Sequence, residues 1–136
     1  MWLKCLADLI FPRKCEICGR LLTGDERYIC EDCMEDMPLT YYWDWPENPA
    51  EKKLWVRTHL HRVIPLFFYT RESRYITLIH KIKYQGKAHL GHHMGFMLGE
   101  KLRGVLSDVD YVVPIPLHPI RRWRRGYNQA EIIADG

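Results

Sequence analysis

Two Cys-x-x-Cys turns, Cys15-Glu16-Ile17-Cys18 and Cys30-Glu31-Asp32-Cys33, stand close together near the start of this 136-residue chain. A two-residue spacer lets both sulfurs of a tight turn face one ion, and two such turns complete the tetrahedral four-thiolate set that zinc prefers. Each pair alone is also the spacing of a thiol-exchange couple; two pairs this near one another favour metal. Gly19 follows the first knuckle, where a positive φ is often needed, and residues 21–29 read as a short hairpin turning near Gly24-Asp25. Cys15, Cys18, Cys30 and Cys33 are therefore assigned to one structural Zn2+, which stabilises such modules by about 10–16 kcal/mol. Four thiolates leave no open coordination position, so the metal shapes the fold and activates no water. Cys5, beside Leu6 and Leu9, reads as a small buried apolar residue.

Charge divides the chain. Residues 1–56 carry 7 Lys/Arg against 11 Asp/Glu, a net −4, and residues 57–136 carry 13 against 6, a net +7. The second part is the one expected to meet anions. Glu31, Asp32, Glu35 and Asp36 crowd the second knuckle, which argues against the cysteine module gripping DNA directly and for a scaffold or docking role. With 47% hydrophobic residues, the chain is globular and not disordered. Its longest apolar stretch, residues 63–69, falls far short of the roughly 20 residues of a membrane span. The apolar N-terminus, interrupted by Asp8, reads as a short amphipathic helix on a cytoplasmic protein without membrane insertion.

Residues 38–62 mix prolines with Trp43, Trp45 and Trp55 and read as a linker whose aromatics pin it to a neighbour. Val63–Tyr69 reads as a strand, with Pro65 suggesting an edge or entry position. Ile76, Leu78, Ile79 and Ile82 predict a helix after a cap at Ser73 and before Gly86. Leu90, Met94, Met97, Leu98 and Leu102 predict a second one ending near Gly104. His89 and His93 share a helical face, but with no matching carboxylate they read as a solvated basic surface beside Lys81, Lys83 and Lys87.

Residues 110–116 read as a short strand leading into a rigid loop that holds Pro114, Pro116 and His118. Ligands of α/β sheets sit beyond such strand ends. Arg121, Arg122, Arg124 and Arg125 supply planar donors for phosphate oxygens, and Gly126 allows close backbone approach. Asn128 caps the following helix, with Glu131 reaching back in a capping box, and helix N-termini favour phosphate. Trp123 and Tyr127, interleaved with the arginines, suit the stacking of single-stranded bases.

In this order, Leu9-Ile10-Phe11-Pro12, the two knuckles, Tyr69, Leu78-Ile79-His80-Lys81-Ile82-Lys83-Tyr84-Gln85-Gly86, Val113-Pro114-Ile115-Pro116-Leu117-His118 and Arg125-Gly126-Tyr127-Asn128-Gln129-Ala130 resemble the ComF (competence protein F) family over nearly the whole chain. The resemblance implies an α/β fold: a four-cysteine zinc ribbon (1–37), the linker (38–62), and the first part of a type I phosphoribosyltransferase-like domain (63–136). It implies an accessory role in single-stranded DNA uptake during natural transformation. It also implies a pyrophosphate-contacting loop at Pro114–His118. The acidic, Thr/Gly-rich loop that holds phosphoribosyl pyrophosphate in related enzymes has no counterpart in residues 1–136, since Asp108 and Asp110 precede their strand. The chain thus looks like the front half of such a protein, the domain is incomplete, and no catalytic residue is assigned. Transferase activity, with Mg2+ and phosphoribosyl pyrophosphate, is left to a completed domain. The expected partners are single-stranded DNA or a phosphorylated small molecule, with a non-catalytic adaptor docking a helicase-like competence protein as the further alternative.

Overall fold

The computed structural model describes residues 12–136; the expected N-terminal helix, Cys5 and Leu9-Ile10-Phe11 lie outside them. The cysteine module is built from turns. Cys15 N–H donates to the Arg20 carbonyl (2.7 Å) and Gly19 N–H to that of Cys15 (2.9 Å), with Gly19 at φ +77° as expected. The chain turns at Gly24-Asp25, closed by Glu26 N–H to the Thr23 carbonyl (3.1 Å), but the flanks do not pair as the expected hairpin; Leu21 forms an isolated antiparallel bridge with Lys14 instead. Glu26 organises this turn, accepting from Thr23 N–H (2.7 Å), Glu31 N–H (2.8 Å) and Arg20 (2.9 Å). Those two backbone donors, chiefly, hold its carboxyl down at about 2. Helix α1 (Glu31–Glu35) starts at the second knuckle, with Glu31 and Asp32 in its first turn complementing the helix dipole.

The linker contains a helix that the sequence reading missed, α2 (Pro49–Trp55). Its signal was present: Asn48 caps it, Pro49 opens it, and the Glu51 carboxylate accepts from the Asn48 N–H, a complete capping box. Tyr42 and Trp43 are buried, whereas Trp45 remains half exposed. The linker does pack.

The two predicted helices form, as α3 (Ile76–Tyr84) and α4 (Ala88–Leu102), burying Leu78, Ile82, Leu90 and Met94. They share one core with the cysteine module, in which Ile29, Cys30, Cys33 and Met37 join Tyr75 and those four residues. Polar contacts reinforce the junction. Tyr75 hydroxyl donates to the Cys33 carbonyl (2.9 Å), and Arg74 pairs with Asp36 (2.7 Å).

The Arg-rich stretch, expected only as a set of phosphate donors, is a helix, α5 (Pro119–Arg125). Pro119 occupies its first turn and Gly126, at φ +80°, ends it, which is the usual positional asymmetry of these two residues. Helix α6 (Gln129–Asp135) follows and lies against α4. The contact is close because Gly91 and Gly95 face it: a Cβ at Gly91 would lie 3.0 Å from Ile132 Cγ2, and one at Gly95 would overlap the Ile133 carbonyl.

No sheet forms among the described residues. The expected strand at 63–69 makes a single antiparallel bridge, Leu39 with Phe67. The segment at 110–116 has no assigned strand or ladder, and Val112 and Val113 are 72% and 81% exposed. A strand is defined by its partner, and no neighbour offers one here.

Candidate functional site

Cys15, Cys30 and Cys33 are buried and Cys18 is exposed, and their four Sγ atoms lie within 4.8 Å of one another. Cys18 Sγ and Cys30 Sγ are 3.7 Å apart. A tetrahedral ion with Zn–S bonds of about 2.3 Å sets sulfurs about 3.8 Å apart, so the Cys18–Cys30 pair already has the spacing of a zinc site and the full set needs only a small contraction around the ion. Backbone donors prepare it for negative charge, with Cys30 N–H and Ile17 N–H reaching Cys15 Sγ at 3.4 and 3.5 Å. Burial pushes the Cys15 thiol up, but backbone donors from Cys18, Cys30 and Ile17 outweigh it and bring it down to about 6. Burial raises Cys33 above the ordinary thiol range.

Residues 6–42 match the family described as the double zinc ribbon domain. The N-terminal module is a four-cysteine zinc ribbon. No curated protein and no solved structure matches the chain. The four thiols together with the ribbon match suit structural zinc, a closed site with no position for substrate.

The ribbon is fastened to the α3–α4 corner through Glu16, inside the first knuckle. Its carboxylate meets Lys81 Nζ (2.8 Å) and Lys87 Nζ (3.2 Å), and Lys81 also donates to the Glu16 carbonyl (2.7 Å). Burial raises the Glu16 carboxyl, but the two ammonium groups outweigh this and hold it below the usual carboxylate range.

The second site is a basic pocket of about 580 Å³ lined by Lys83, Tyr84, Gly86, Arg121, Arg124 and Arg125. Arg121, Arg124 and Arg125 stand at i, i+3 and i+4 on α5 and so share a face. The Arg125 guanidinium lies 5.2 Å from the Tyr84 ring centroid, tying the two walls together. Lys83, Tyr84 and Gly86 were not among the sequence-assigned site residues. They lay in a separate motif, and only the fold brings them to the arginines.

The remaining assigned residues are distributed differently. Arg122 points away from the pocket lining and meets Glu131 (3.3 Å), so Glu131 does not close the expected capping box. Trp123 is 86% exposed, available for stacking. Tyr127 is not, since it packs on the core and its hydroxyl donates to the Ile82 carbonyl. Asn128 is buried; it accepts from Ala130 N–H (3.1 Å) as the α6 cap and donates to the Ile115 carbonyl (3.0 Å), which makes it structural. Gly126 ends α5. Pro114, Pro116 and His118 do not line the pocket; the His118 carbonyl instead accepts from Arg121 and Arg122 N–H at the start of α5.

A third concavity, about 890 Å³, separates the Gly24-Asp25 turn from α4 and includes Tyr28, Met34, His89, His93 and Phe96. His89 and His93 face Tyr28, with ring centroids 4.8 and 5.4 Å away. Burial lowers the His93 pKa.

Proposed function

We propose that this chain is a phosphate-binding protein built on a structural zinc ribbon, and that its ligand is single-stranded DNA. The observation that carries the reading is the convergence of Lys83, Arg121, Arg124 and Arg125 on one pocket beside Tyr84, with Trp123 exposed on the same helix. Clustered cations neutralise phosphates, and exposed aromatic rings stack bases without regard to sequence. Opposed carboxylates are absent from the pocket lining, so its positive charge is free to act on a ligand.

The ordered motifs support assignment to the ComF family, and with it an accessory part in DNA uptake and a type I phosphoribosyltransferase-like domain. On this reading the segment at 110–116 occupies a strand position of that domain, although it makes no ladder among the described residues. Among the described residues, no helix is long and apolar enough to cross a membrane.

Salt titration of oligo(dT) binding tests the proposal. Each phosphate that a side chain neutralises on a single strand adds about 0.7 to the log-log salt slope, so replacing Lys83, Arg121, Arg124 and Arg125 together by Ala flattens it by about 2.8. Trp123→Ala weakens binding by about 1–3 kcal/mol with the slope unchanged. A quadruple variant with the wild-type slope would refute the DNA assignment.

A further inference from the structure

We propose that Glu16 is a positioning residue for the basic pocket, so that the zinc ribbon governs anion binding through a clamp on the α3–α4 corner. The inference rests on the phosphate-binding reading of that pocket.

The geometry is a staple. Lys81 and Lys87 bracket Lys83, Tyr84 and Gly86, which form one wall of the pocket, and both ammonium groups converge on the single Glu16 carboxylate. The side chains are sheltered, with Glu16 15% and Lys81 21% exposed, so salt screens the pair less than it would a surface pair. The corner also needs holding. Helix α3 ends at Tyr84, Gly86 adopts φ +66°, and the chain reverses into α4 at Ala88. Within the corner, Gln85 and Lys87 N–H groups both bond to the Lys81 carbonyl (3.1 and 3.4 Å), so displacing Lys81 shifts the wall with it.

The opposite wall is held through the same place. Tyr127 hydroxyl bonds to the carbonyl of Ile82, the residue between Lys81 and Lys83, and so fixes the chain just after α5 to the end of α3. Contacts therefore run without a break from the first knuckle to both walls. Glu16 lies between the metal ligand Cys15 and Ile17, two residues from Cys18, so its position follows from the folded knuckle. Neither Glu16 nor Lys81 lines the pocket. Their effect on a bound phosphate is transmitted by placement.

Two substitutions with opposite charge effects separate placement from simple electrostatics. Glu16→Gln removes a negative charge and Lys81→Met removes a positive one. If the clamp positions the wall, both weaken oligo(dT) binding by about tenfold, within the usual range of coupling between sites, while zinc content stays at the wild-type level. Both also accelerate amide exchange at residues 82–87. Affinities that move in opposite directions, or that stay at the wild-type value with unchanged exchange, overturn the proposal. Amide exchange reads the clamp without any ligand. If zinc-loaded wild type fails to bind oligo(dT), the pocket reading fails, while exchange at 82–87 still decides whether Glu16 and Lys81 hold the corner.

Discussion

Glu51 and Arg62 form an ion pair at 2.9 Å in which the carboxylate is 1% exposed and the guanidinium 19%. The pair is the centre of a network. Glu51 also accepts from the N–H groups of Asn48 (3.2 Å) and Val63 (3.2 Å), and Arg62 donates to the Tyr42 and Trp43 carbonyls (3.0 and 3.3 Å). A segment rich in prolines and aromatics thereby acquires a fixed shape. Removing one partner strands a buried charge, so Glu51→Ala destabilises the protein by about 3–5 kcal/mol. Urea unfolding measures this; a loss below about 1 kcal/mol would show the network to be dispensable.

The same carboxylate gives a pH dependence of definite sign. Burial raises the Glu51 carboxyl, but Val63 N–H, Arg62 and Asn48 N–H outweigh it and leave the value below the ordinary one. A lowered folded pKa means that the stabilisation is fully present above the unfolded value of about 4.3 and is lost as pH falls through the folded value. The stability difference between wild type and Glu51→Gln is accordingly constant near neutrality and shrinks in acid below about 4.3. A difference that grows on acidification contradicts the assignment.

Two glycines of α4 are predicted to respond in opposite senses. At Gly95 an added methyl meets the backbone of Ile133, which cannot swing aside, so Gly95→Ala pushes α6 away at a cost of about 3 kcal/mol. At Gly99 nothing lies within 4 Å. There Gly99→Ala stabilises by about 0.8–1 kcal/mol through helix propensity alone. Thermal denaturation of both variants checks the sign of each.

Zinc is expected to hold more than the ribbon, because Cys30 and Cys33 belong to the core that includes Leu78 and Leu90. Cys30→Ser, measured by metal analysis, loses its zinc. Near-ultraviolet circular dichroism then reports loosened packing around Tyr75, whose hydroxyl bonds to the Cys33 carbonyl. Full zinc retention in this variant would remove Cys30 from the ligand set.

Local rules were legible wherever the deciding groups sit within a few residues of one another. The knuckles, the turn at Gly24-Asp25, the positive φ of Gly19, and helices α3 and α4 were all read from spacing. Helices α2 and α5 are equally local, signalled by Asn48-Pro49-Ala50-Glu51 and by Pro119 with Gly126, but in the one stretch the prolines point to a linker and in the other the arginines point to a phosphate site. The strands failed for a different reason. Apolar residues at 63–69 and 110–116 report β propensity, and a ladder requires a neighbour that propensity cannot supply.

The amino-acid sequence by itself determined a four-thiolate ribbon, two amphipathic helices and a cationic second half, since metal spacing, helical period and charge are properties of short stretches. Tertiary structure alone decided which cations act together. Lys83 joins Arg121, Arg124 and Arg125, while Arg122 is taken up by Glu131 and Tyr127 by Ile82. It also decided that Glu16 of the ribbon grips Lys81, 65 positions later. Such pairings follow from which helix faces meet in the shared core, and no local pattern encodes the distance between groups that far apart along the chain.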